Sequence, residues 1–71
     1  MHTIEINREP VELYKILKFE GLVGTGGEAK IVIDEGLVKV NGQVEFRKRN
    51  KIKHGDVIEF NQISYLIQLV Q

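Results

Sequence analysis

Few side chains in this chain are of the types that do covalent or metal chemistry, and their placement argues against it. The histidines, His2 and His54, fall in an alternating N-terminal segment and in a turn. There is no cysteine, and no acid stands at ligand spacing apart from Asp56. Zinc takes three or four such ligands, so no metal site is expected. Ser64 is the only serine, at the start of a predicted strand and without the glycine-flanked elbow that exposes a nucleophile. The adjacent acids Asp34 and Glu35 end a predicted helix and read as solvent-facing. Neither catalysis nor a cofactor is expected.

Positive charge is the chemistry that remains. The segment "VKVNGQVEFRKRNKIKHGD", residues 38–56, places Arg47, Lys48, Arg49, Lys51 and Lys53 within seven positions. Residues 39–54 hold six Lys or Arg against the single acid Glu45, a local balance of +5. The chain is neutral at pH 7, so its other residues carry −5. Cations so gathered can neutralise phosphates, and arginine grips one bidentately. The alternative is a solvated loop that serves solubility. A second candidate, "GLVGTGGEAK", has three close glycines ahead of a helix start. It follows a helix and lacks both the Gly-Lys-Ser/Thr ending and the G-x-G-x-x-G spacing, so it reads as a tight helix–turn–helix connection. The Gly26 and Gly27 N–H groups could still meet one phosphate.

The elements that must position these residues follow from pattern. Thr3 to Ile6 alternates as a short strand with Ile4 and Ile6 on one face. Pro10 suits the first turn of a helix, which carries Leu13, Ile16 and Leu17 at i, i+3, i+4 and stops at Gly21. Thr25 and Glu28 have capping-box spacing and open a second helix near Gly26, with Ala29, Val32 and Ile33 inward and Gly36 as its stop. Val38 and Val40 face one way. Val44 and Phe46 are expected to return to the same face, so the loop at Asn41-Gly42 is expected to be odd in length, with a bulge. Val57 to Phe60 and Tyr65 to Val70 supply two more strands around Asn61-Gln62. Phe19, Phe46, Phe60 and Tyr65 are assigned to the core and Tyr14 to its margin, leaving no aromatic stacking platform. The expected architecture is α+β: two helices beside a small, mainly antiparallel sheet.

At 71 residues, with 42% apolar and 28% charged residues, the chain is expected to fold as one globular domain over residues 1–71, with a small core. It shows no signal peptide or membrane-spanning run, and the lack of cysteine favours the cytoplasm.

The order of elements resembles the S4-type RNA-binding domain, or alpha-L motif. "TGGEAK" at 25–30, "GLVKVNG" at 36–42 and "KIKHGDVIEF" at 51–60 match its second-helix start, its strand and turn, and its later Gly-Asp turn. "EGLVKVNGQVEFRKRNKI" is similar to the small stand-alone bacterial YbcJ-like group. The resemblance implies a monomeric, cytoplasmic protein that binds structured RNA, ribosomal or transfer RNA, with the ribosome as a partner. It implies phosphate contacts from Lys30, Lys39, Arg47, Lys48, Arg49 and Lys51. Lys15 and Lys18 on the first helix extend that surface, Lys15 with the option of pairing with Glu12, and Lys53 ends the basic loop. Gly26 stands where many members carry arginine. Lys30 could instead pair with Asp34, and Lys39 with Glu45 across the hairpin. Asn41, Gly42, Gly55 and Asp56 read as turn residues. The rival functions are a protein-interaction adapter and a DNA-binding helix-turn-helix, the latter offering only Lys30 toward a groove.

Overall fold

The computed structural model describes residues 1–70. Its elements run β1 (His2–Ile6), β2 (Val11–Glu12), α1 (Leu13–Phe19), α2 (Gly26–Asp34), β3 (Val38–Val40), β4 (Gln43–Val44), β5 (Lys51–Ile52), β6 (Val57–Phe60) and β7 (Ile63–Leu69). Five strands form one sheet in the order β1-β7-β6-β3-β4, and β2 pairs separately with β5. The β1–β7 pairing is parallel and the others antiparallel. This is the expected α+β architecture.

One face of the sheet is apolar by register. Ile4 lies beside Ile67, Tyr65 beside Ile58, Ile58 beside Val40, and Phe60 beside Val38. Leu13, Ile16 and Leu17 of α1 and Ala29 and Ile33 of α2 join these residues in one buried cluster. Burying such a side chain stabilises the fold by roughly 1.5–3 kcal/mol, so this cluster is what holds a chain of this size folded. Both helices end in the same motif. Gly21 and Leu22 donate to the Lys18 and Leu17 carbonyls, as Gly36 and Leu37 do to those of Ile33 and Val32, all at 3.0–3.1 Å. Gly36 takes φ +75°, a conformation that a side chain resists.

Four expectations are corrected. The first helix does not begin at Pro10: Val11 and Glu12 are extended and pair with Ile52 and Lys51, and helix starts only at Leu13. Tertiary pairing overrides the local proline signal there. The Asn41-Gly42 loop has two residues, since Val40 faces Gln43 and Lys39 faces Val44. Asn41 at φ 53° and Gly42 at φ 86° make the twisted turn that matches strand twist, and this overrules the assumption that every valine turns inward. Val44 therefore lies on the outer face, and Phe46 and Phe19 are 59% and 67% exposed rather than in the core. Lastly, the capping box is half formed. Thr25 Oγ1 accepts from the Glu28 N–H at 3.0 Å, but the Glu28 carboxylate reaches past Thr25 to the Gly24 N–H, at 2.7 Å.

Candidate nucleic-acid interface

The basic loop is fixed from both sides. Its backbone caps α1: the Leu13 N–H donates to the Asn50 carbonyl at 3.0 Å and the Tyr14 N–H to the Lys48 carbonyl at 3.1 Å. Two helix-start donors that no side chain satisfies are thereby paired, and residues 47–50 are held against the start of α1. Glu45 holds the loop from within. Its Oε2 accepts from the Arg47 N–H and Nε, its Oε1 from Arg47 Nη2, and Asn50 Nδ2 donates to the same Oε1 at 2.9 Å. The hydrogen bonds from Arg47 hold the Glu45 carboxyl below its ordinary range, against partial desolvation, and Glu45 in turn raises the Arg47 guanidinium.

Three other segments bring their charges to this loop. Lys48 Nζ bonds the Asp34 carboxylate at the end of α2. Glu12 lies between Lys15, at 3.2 Å, and Arg49, at 4.0 Å, and pairs in register with Lys51. The Lys15 hydrogen bond, then the charges of Lys15, Lys51 and Arg49, hold the Glu12 carboxyl below its ordinary value, opposed by desolvation. Lys30 of α2 places its ammonium 4.8 Å from the Tyr14 ring centroid, with Lys15 at 6.0 Å from the same ring. Lys15, Lys30, Arg47, Lys48, Arg49 and Lys51 thus converge on one side of the helical pair. Glu12, Asp34 and Glu45 lie among them, so six cations against three carboxylates leave three net positive charges.

The remaining candidates stand apart. Lys18 lies at the other end of α2, its Cδ 4.0 Å from where a Cβ on Gly26 would sit and its ammonium 5.5 Å from the Phe19 ring. Lys39 is on the outer face of the sheet, between Glu59 and Val44 in register. Its expected partner Glu45 is engaged by Arg47, and Asp34, the expected partner of Lys30, is engaged by Lys48. Lys53 belongs to a turn that is tied elsewhere. Its N–H donates to Asp56 at 2.9 Å, the His54 N–H to Glu9 at 2.7 Å, and the Leu69 N–H to His54 Nδ1 at 3.0 Å. Asn41 and Asp56 do act as turn residues: Asn41 donates to Asp56 at 3.1 Å and accepts from the Val57 N–H at 2.9 Å.

Sequence reasoning missed Asn50 and Tyr14, the ring beneath Lys30, and gave Asp34 and Glu45 other partners than the ones they have. Glu12 was foreseen only as a partner of Lys15. A carboxylate two positions before Arg47 was the one local signal. At the start of α2 the Glu28 carboxylate already engages the turn, so negative charge sits beside the Gly26 and Gly27 N–H groups. Among the described residues no group of three or more His, Asp or Glu is placed to hold a metal ion, and no helix is long and apolar enough to cross a membrane.

Two helices whose end and start clasp a basic loop, set against a hairpin sheet, define the alpha-L class of domain. The S4 domain family model matches residues 4–68, and the chain belongs to that family. It is 49% identical over 61 residues to YbcJ of Escherichia coli (strain K12), covering 84% of this chain and 87% of that protein, and equally to YbcJ of Shigella flexneri. The solution structure of E. coli YbcJ, which reveals an alpha-L motif involved in RNA binding, superposes with a TM-score of 0.71 at 45% identity, over 96% of this chain and 87% of that one. The 30S ribosomal protein S4e from Thermoplasma acidophilum superposes with a TM-score of 0.62 at 28% identity, over 86% of this chain and 32% of that one.

Proposed function

We propose that this chain is a non-catalytic RNA-binding protein that holds structured RNA through phosphate contacts from Lys15, Lys30, Arg47, Lys48, Arg49 and Lys51. The observation that carries this reading is the convergence of those six residues, drawn from α1, α2 and the basic loop, on one side of the helical pair. Carboxylate partners hold Lys15, Arg47, Lys48 and Arg49 in place, so less side-chain freedom is lost when a phosphate arrives. E. coli YbcJ supports RNA as the ligand, and ribosomal protein S4e supports ribosomal RNA as its kind. Lys18, Lys39 and Lys53 lie outside that convergence. The chain acts as a single domain and a monomer.

The test is fluorescence anisotropy with a structured RNA at several salt concentrations. Three to five phosphates neutralised give a slope of about −2 to −4 for log affinity against log salt. A protein-interaction adapter gives no RNA binding at low salt, and that outcome overturns the proposal.

A further inference from the structure

Phe46 is the aromatic side chain that the folded chain leaves in an unexpected place. It is 59% exposed, between Glu45 and Arg47 at the start of the basic loop. The β3–β4 register explains why. With Lys39 opposite Val44, and the Glu45 N–H on the Val38 carbonyl at 2.9 Å, the same register sets Leu37 across from Phe46. Leu37, Lys39, Val44 and Phe46 therefore share the outer face at the sheet edge, with Leu37 at 54% and Val44 at 43% exposure. The ring is not loose there. A Cβ added at Gly36 would lie 3.3 Å from Phe46 Cε1, 3.5 Å from Cζ and 3.6 Å from Val44 Cγ1. One edge of the ring thus rests on the bare backbone that closes α2. Its neighbour Glu45 is anchored through both carboxylate oxygens.

From this geometry we infer that Phe46 is a stacking site for one unpaired RNA base, with Lys39 on the same face for an adjoining phosphate. The inference rests on the RNA-binding reading above and deepens it, by adding recognition of a single-stranded nucleotide to a face that otherwise feels only charge. A supported, exposed ring is what a base needs, since every base offers a π-face. Lys39 within the strip, and the basic loop that continues from Phe46 at Arg47, favour a nucleic acid over an apolar protein segment or a second copy of the chain.

The experiment compares an RNA hairpin with an adenine-rich loop and a fully paired RNA duplex of equal phosphate count. Both are titrated against the native chain, Phe46→Leu and Phe46→Trp. Phe46→Leu is expected to bind the looped hairpin about tenfold more weakly or worse, and the duplex unchanged. Phe46→Trp should keep the native preference. As the chain has no other tryptophan, its emission should be quenched by the looped hairpin and not by the duplex. Thermal unfolding of each variant confirms that the fold is intact. Equal weakening toward both RNAs, or no change toward either, overturns the inference and leaves the RNA-binding reading standing. Failure of the native chain to bind either RNA at low salt overturns both. Self-association of the native chain in sedimentation, lost in Phe46→Leu, assigns the strip to a second copy and overturns the stacking site.

Discussion

The helical side of the molecule and the outer face of the β3–β4 hairpin both carry cations, but they are built on opposite plans. On the helical side, Lys15, Arg47, Lys48 and Arg49 each lie within 4.0 Å of a carboxylate, so the charges are held in place and partly neutralised. On the hairpin face Lys39 stands among Leu37, Val44 and Phe46, all exposed, with Glu59 as its cross-strand acid. The first plan holds its cations in fixed positions at some loss of net charge. The second leaves apolar surface uncovered on the edge strand β4, which a stable fold gains nothing by exposing. The contrast sets a charged surface held in place by its counter-charges against an apolar one left open.

The largest effect that would break the comparison comes from beneath both faces. Val38 is fully buried between β4 and β6, and Val38→Asp should cost about 3 kcal/mol or more by burying an unpaired carboxylate. Urea unfolding would show it, and both faces should be lost together.

Next in size is the charged side alone. Arg49→Ala with Lys51→Ala removes two cations around Glu12. It should flatten the salt dependence of RNA binding by about two units while Phe46 keeps its preference for a looped hairpin. Salt-dependent anisotropy with both RNAs checks this.

Gly36→Ala sharpens the comparison from the other direction. It forces a side chain into φ +75° and against the Phe46 ring, so stability should fall by about 1 kcal/mol. Discrimination between looped and paired RNA should fall with it, as read by chemical denaturation and the same binding assay. A loss of stability with discrimination intact would detach the ring's support from its function.

The smallest expected effect is on pH. Glu12 and Glu45 titrate below their ordinary value of 4.5 in the folded chain, Glu12 chiefly through the Lys15 hydrogen bond and Glu45 through those from Arg47. A carboxyl lowered on folding contributes stability that is complete above its unfolded value and disappears as pH falls through the folded one. The melting temperature should therefore decline below pH 4.5, and less steeply in a Glu12→Gln, Glu45→Gln variant. Melting curves across that range decide it.

Much of this was legible in the residues. Alternation in residues 3–6, 57–60 and 65–70, the Thr25 cap, and the helix stops at Gly21 and Gly36 are local signals, and each holds in the structure. What could not be read depends on distant segments. β2 and β5 are two residues each, too short for any period, and exist because Val11 and Ile52 meet across some forty positions. The same docking moved the start of α1 beyond Pro10. The hairpin register failed because hydrophobicity was taken to mean inward, while the Asn-Gly turn fixed the parity and sent Val44 and Phe46 outward. The candidate interface was legible as charge and illegible as geometry. Its six converging cations are readable one by one, but the pairings of Asp34 with Lys48 and of Glu12 with Arg49, which join distant parts of the chain, are not.

The parallel pairing of β1 with β7 sets the order in which such a chain can assemble. Ile4 meets Ile67, so this seam closes a loop of nearly the whole sequence, while β6 with β7 and α1 with α2 are short-range neighbours. Loop closure of that size is entropically late, so the β1 seam is expected to form after the β6–β7 hairpin and the helical pair. The strand that begins the chain then acts as a latch. Ile4→Ala should therefore raise the unfolding rate and leave the folding rate nearly unchanged, as stopped-flow kinetics would show.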